Sequence, residues 1–405
     1  MQNWKWLLLS LVLAVLLSVL FMAFLKCFAG CFIWISLLLM ILLLAGATVL
    51  FLYNGGAIGQ PSFAGNFGIS IPNLPSFGYY NVFGWICLGL FCIVCLIVVC
   101  CCRRISLAVA LCGIAGEFVA STCQVMLVPV VMGAAVFALW VFCLYAMVTL
   151  IGTAQFVVNG TDVFTSIQSY TSASLGYFYY FVFATLWSNA LLQAIAVFVI
   201  ASACAVWYFS KSPNMQELDS PVCSGFWMTF RYHFGSLAFG SFILALVQFI
   251  QFIFEVLNRQ VEASGAASNV CFEYLMNCIR CCLECIKRIV EFINKNAFIL
   301  ISITGRNFCG SAADAVSLIT ANPLRFSVVS IVGWLLALVG KILIAGLTTF
   351  LFYIFVTFVT NVSQNIQEPI LMLILVGLAA FAIATIFMGV FDVSVDTLLM
   401  CFLID

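Results

Sequence analysis

The chain has 405 residues, 66% of them hydrophobic and 7% charged, with a mean hydropathy of +1.25; these values exclude a soluble globular fold and leave a polytopic helical membrane protein. Fourteen Lys and Arg balance fourteen Asp and Glu, and the basic residues are scattered rather than gathered in a basic patch, so the net charge says nothing about nucleic acid or acidic partners. The 20 cysteines lie mostly inside or beside apolar runs, which fits thiols packing as small hydrophobes better than a disulfide framework.

Two apolar runs, Trp6 to Leu25 and Phe28 to Leu52, are separated by little more than Lys26 and Cys27, and a hairpin of two spans is expected. Tyr53 to Tyr80 is uncharged and rich in Gly, Pro, Ser and Asn, the composition of a loop outside the bilayer. A third span, Val82 to Cys102, ends at Arg103 and Arg104. The less apolar segment Ile105 to Gln124 carries Glu117 and leads into a span near Val125 to Ile151, where Pro129 is placed to kink the helix.

Gly152 to Ser174 is a second charge-poor loop. It contains the acceptor sequon Asn159-Gly160-Thr161, and Asn361-Val362-Ser363 repeats the pattern near the C-terminus. The segments 53–81, 152–174 and 360–368 contain no Lys or Arg, whereas Lys26, Arg103, Arg104, Lys211 and a group from Arg259 to Arg325 are expected on the other side. That is the positive-inside pattern, with Asn159 and Asn361 as expected glycosylation sites.

Leu175 to Phe209 has no Asp, Glu, Lys, Arg or His, yet its middle carries Asn189 and Gln193. As one helix it would run roughly 50 Å against a hydrocarbon core of about 30 Å, so it must tilt, break or protrude. Tyr177, Tyr180, Ala184 and Trp187 recur at helical spacing, so one face carries three rings, and ring faces attract organic cations where water is scarce. Ordinary packing of aromatics is the alternative.

After a loop with Pro213 and Pro221 come an apolar stretch, Phe226 to Leu257, and a polar region, Asn258 to Asn296. The last spans are Ser327 to Val359 and Pro369 to Val390. The stretch between Lys211 and the basic group is too short for two full crossings, so either it re-enters or Ala297 to Thr320 supplies an unusually polar crossing. Gly305, Asn307 and Gly310 interrupt the apolar run there as a broken helix would, and an interfacial helix fits nearly as well. The fold class expected is an all-α membrane bundle of about eight to nine segments, forming a single transporter domain over 1–405.

Four blocks carry a resemblance. RYHFGSLAFGSFILALVQFI (Arg231 to Ile250), NKNAFILISITGRNFCGSAADA (Asn294 to Ala315), WYF (Trp207 to Phe209) and VDTLLMCFL (Val395 to Leu403) resemble the recurrent blocks of the choline transporter-like family, from Trp6 onward. The resemblance implies a carrier of about ten helices for choline, and also ethanolamine, in the plasma membrane or an organelle membrane, coupled to proton antiport. Family members begin with a cytoplasmic tail, a first membrane helix and a large glycosylated loop, and end in a charged tail. The expectation is that this chain lacks them, and Gly113 and Ile114 stand where the family carries a Lys-Glu pair.

Choline offers a fixed positive charge and one hydroxyl, so its site needs ring faces and a polar side chain. Tyr180, Trp187 and Asn189 stand where the family's Tyr, Trp and Asn recur and are expected to line the pathway, with Trp334 added because it lies a heptad before Lys341. Lys341 sits near the middle of its span, where a charge is costly. An ion pair is expected with Glu117, Glu255, Asp392 or Asp396, or else a group that titrates as the carrier cycles. His233, the only histidine, is the candidate for proton coupling, with plain interfacial hydrogen bonding as the alternative.

Cys278, Cys281, Cys282 and Cys285 lack the separated knuckles of a zinc site and fit juxtamembrane S-acylation better, as do Cys100 to Cys102, with free thiols of no function as the default. No enzyme signature is present, and no cofactor, metal or nucleic acid is expected. Competing readings are a non-transporting scaffold or partner of a longer homologue, and a channel or lipid scramblase.

Overall fold

The computed structural model describes residues 4–57, 79–100, 102–152, 155–157, 167–169, 172–210, 220–263, 270–355, 357 and 369–405. The sequons at Asn159 and Asn361 lie outside these, as does most of the three loops without Lys or Arg. The helices are α1 (Trp4–Asn54), α2 (Tyr80–Cys100), α3 (Cys102–Ser121), α4 (Leu127–Gly152), α5 (Ser172–Ser210), α6 (Pro221–Met228), α7 (Phe234–Ala263), α8 (Val270–Thr304), α9 (Phe308–Ala321), α10 (Pro323–Ile354) and α11 (Pro369–Ile404). The fold is all-α apart from one small antiparallel ribbon, Gln155–Val157 against Ile167–Ser169. Eight segments are long and apolar enough to cross a membrane, within the expected number.

Helix α1 is continuous where a hairpin is expected, but it bends back sharply. The rings of Phe21 and Phe32 lie 5.7 Å apart, whereas eleven residues of straight helix advance about 16 Å. Two spans result, Leu8–Leu25 and Gly30–Asn54. Pro129 does not kink a span. It sits in the first turn of α4, where its missing N–H has no helical partner to lose.

By its contacts the chain divides into two compact units. The first comprises Met1–Ala120 and Leu324–Val395, the second Ser121–Pro323 and Asp396–Asp405. In the first, glycines let helices approach closely: a Cβ on Gly340 of α10 would stand 2.7 Å from the Phe21 ring and 3.0 Å from Met388. Two of its buried hydroxyls bond back to their own helices, Ser18 to the Ala14 carbonyl at 2.7 Å and Thr348 to that of Ile344 at 2.7 Å.

The second unit is built on α5. Ala190, Ala194, Phe198, Ala201 and Ala205 are buried at three- and four-residue steps, a stripe of mostly small side chains along which neighbouring helices pack closely. Helices α7 and α8 run antiparallel, as Gln251 meets Glu284, Glu255 meets Arg280, and the Gly240 carbonyl meets Asn294. The chain then breaks at Gly305, whose φ of +70° lies in the left-handed region that glycine tolerates. Asn307 caps α9 by accepting a 3.1 Å bond from the Gly310 N–H. The Phe298 and Phe308 rings, 5.9 Å apart across this break, show that α9 folds back on the end of α8. The 297–320 stretch is thus a helix, a turn and a 14-residue helix, too short for a second crossing of about 20 residues.

Candidate functional site

On α5, the turn before the buried stripe carries Trp187. Its indole N–H donates to the Ala238 carbonyl of α7 at 3.1 Å, which fixes the ring, and 37% of the residue stays exposed. Phe183 lies 6.5 Å away on the same helix, and Phe242 of α7 meets Trp187 edge-on at 5.7 Å. The rings continue as a ladder toward the start of α5, Phe183 against Phe249 at 5.5 Å and Tyr179 against Phe252 at 6.5 Å. The ring-bearing face that meets α7 is therefore Tyr179, Phe183 and Trp187. Tyr180 is 72% exposed and makes no ring contact among the described residues, so it is not on the packed face with Trp187. Asn189 is half-buried and Gln193 exposed.

The π-helical turn Thr229–His233 joins α6 to α7. Such turns add a residue to the helix and shift its faces, and they recur at functional positions. His233 is half-buried here, its ring 5.3 Å from Phe198 of α5. Further along α7, a Cβ on Gly240 would come within 2.5 Å of Phe308 and 2.7 Å of Phe298. Its carbonyl accepts a 2.8 Å bond from the buried Asn294 side chain.

Beside Asn294, Lys295 donates to Asp396 at 2.7 Å; the side chains are 31% and 12% exposed. Asn296 and Ser311 are buried nearby in sequence, on α8 and α9, and Asn296 Oδ1 and Ser311 Oγ have no hydrogen-bond partner. Unsatisfied buried polar atoms are rare enough to mark a region where water or a ligand group is accommodated. Arg306 pairs with Asp314 at 2.6 Å across the helix break, and Tyr208 reaches Asp405 at 3.5 Å. Cys204 and Cys401 are both buried, as expected of thiols that pack as hydrophobes.

The expected partners of Lys341 are arranged otherwise. Asp396 belongs to Lys295, and Glu255 is held by Arg280 at 2.6 Å and Arg259 at 3.4 Å. Lys341 itself is half-buried in the first unit and forms no ion pair within 4.0 Å among the described residues. Trp334, also in the first unit, is 59% exposed; Glu117 there is half-buried. Sequence reasoning missed Lys295. The available signal was that a lysine opens the NKNAF block and an aspartate stands in the VDT block, two isolated charges flanking apolar runs. Among the described residues no group of three or more His, Cys, Asp or Glu is placed to hold a metal ion.

All four blocks quoted above thus meet in the second unit, apart from Val395 at the edge of the last. A family model described as plasma-membrane choline transporter matches residues 85–405, so the match begins at α2 rather than at Trp6. Choline transporter-like protein 2 of Rattus norvegicus is 34% identical over 258 residues, 63% of this chain and 36% of the relative. The protein of that name from Dictyostelium discoideum is 34% identical over 226 residues, 56% of this chain and 35% of the relative, and that from Homo sapiens 35% over 244 residues, 59% and 34%. The matched stretch thus spans about a third of the length of these relatives. With a family model matched over residues 85–405, and its recurrent blocks packed into one constellation, this integral membrane protein belongs to the choline transporter family.

Proposed function

We propose that the chain moves choline across the membrane as a carrier, with both compact units acting as one transporter domain over 1–405. The observation that carries this reading is the fixed indole of Trp187. A ring whose N–H is tied to the Ala238 carbonyl offers its face, not its edge donor, and a ring face in a poorly hydrated setting attracts a quaternary ammonium. Phe183 and Phe242 extend the aromatic wall. Asn189 stands about 200° round the same helix from Trp187 and would line the pathway on another face of it. Pairing of Asp396 with Lys295 keeps the region near neutral, so a cation entering is not repelled by a lone ammonium.

Tyr180 and Trp334, both exposed, would serve as outer stations on the pathway, and ethanolamine would use the same rings and amide less strongly because its ammonium is better hydrated. Proton antiport would draw on His233, Lys341 or Glu117, and His233 is the most suitable because its ordinary pKa lies in the physiological range. Residence in the plasma membrane follows from the family's description.

Uptake of radiolabelled choline into proteoliposomes tests the proposal. Saturable uptake that Trp187→Leu weakens supports it. Non-saturable flux would instead mark a channel, lipid flipping a scramblase, and choline binding without flux a non-transporting partner; each of these outcomes overturns the carrier reading.

A further inference from the structure

At 3.6 residues per turn, Arg280, Glu284, Lys287, Arg288 and Glu291 of helix α8 fall within an arc of about 100°, and Tyr274, Cys278, Cys281, Cys282, Cys285 and Ile289 within a second arc of about 100° that borders it. The charged arc makes polar contacts with α7 and along α8 itself. Arg280 reaches Glu255 of α7 at 2.6 Å, Glu284 accepts from Gln251 of α7 at 3.3 Å, and Lys287 lies 4.0 Å from both Glu284 and Glu291.

The outward arc is apolar and exposed, Tyr274, Ile289 and Phe292 included, and all four thiols on it are exposed. α7, to which α8 is tied, exposes Leu246, Ile250 and Leu257 on a segment that counts as a membrane span, so α8 runs beside the bilayer. An exposed apolar arc there is stabilised when it lies in the interface.

We propose that this face of α8 rests in the lipid leaflet and that Cys278, Cys281, Cys282 and Cys285 are a site of S-acylation. The co-reactant is a fatty acyl-coenzyme A thioester: a cysteine sulfur attacks the acyl carbonyl, the coenzyme's sulfur leaves, and the proton of the cysteine passes to it. One thioester replaces another and nothing is oxidised or reduced. The neighbouring Cys278 thiol holds Cys282 above the ordinary thiol range, so Cys282 depends on a transferase to remove its proton. Acyl chains on the four thiols would leave the helix along this arc, beside the charged one.

The test uses the full chain expressed in eukaryotic cells fed an alkynyl fatty acid. Hydroxylamine-sensitive label should be present on the native protein; it should fall when Cys278, Cys281, Cys282 and Cys285 are all replaced by Ser, and reach background when Cys100 to Cys102 are replaced as well. Cys309→Ser, an exposed thiol elsewhere, should leave it unchanged. A second readout does not depend on the variant folding: the tryptic peptide from Cys281 to Lys287 of the native protein should carry acyl groups lost on hydroxylamine treatment. Finding that peptide only in the free-thiol form, or label that the four Ser replacements do not reduce, would overturn the assignment.

Discussion

Lys295 Nζ stands 2.7 Å from Asp396 Oδ2, joining the buried end of α8 to the last two turns of α11 within one compact unit. Removing one partner strands the other where water reaches it poorly. Lys295→Met or Asp396→Asn should therefore destabilise the solubilised protein by about 2–4 kcal/mol, somewhat less than a fully buried pair because Lys295 is a third exposed. The double variant should recover part of the loss in thermal unfolding. A single variant that melts at the native temperature would show that the pair carries no structural weight.

Trp187 contributes both a hydrogen bond and a ring, and two substitutions separate them. Trp187→Leu should weaken choline binding by about 1–2 kcal/mol, roughly five- to thirtyfold, whereas Trp187→Phe keeps a ring face and should lose less. Titration of choline on both variants decides. Equal affinity for native protein and Trp187→Leu would reduce the aromatic ladder to helix packing.

At the turn between α8 and α9, Gly305 has φ +70° and Asn307 caps the second helix. Gly305→Ala should cost about 1 kcal/mol from backbone strain, and Asn307→Ala about 1 kcal/mol from the lost cap. Asn in place of Gly305 should cost less than Ala because Asn tolerates that region of backbone space. Ranked melting temperatures test the order. An Ala variant as stable as native protein would contradict the strained turn.

Lys341 forms no ion pair among the described residues, so an apolar replacement removes the cost of the charge without stranding a carboxylate. Lys341→Met should leave the melting temperature unchanged or raise it. If transport nevertheless falls while stability holds, Lys341 acts in the cycle; a clear drop in melting temperature would mean that a carboxylate depends on it.

The membrane spans were legible because a bilayer reads length and hydropathy directly: Leu175 to Phe209 matches the span Leu175–Ser210 almost end to end. The break before α9 was legible from Gly305 and Asn307, since few other residues suit a left-handed turn and a cap. The face of α5 that meets α7 was not. Tyr177 to Phe183 contains six aromatic rings in seven positions, so aromatic periodicity points in several directions and only the partner helix selects Tyr179 and Phe183. The partner of Asp396 was illegible for a related reason. Four carboxylates stood as candidates for one lysine near mid-span, and nothing along the chain records that Lys295, 101 positions earlier, is folded beside it.

The missing side chain at Gly240 sets what this unit can do mechanically. Two phenyl rings, one from the end of α8 and one from the start of α9, occupy the volume a Cβ would take, and the same residue's carbonyl is held by Asn294. α7 cannot roll about its own axis without driving its backbone into both rings and releasing that bond. α7, α8 and α9 are therefore locked together at this point, and any change in their relation must first break this contact.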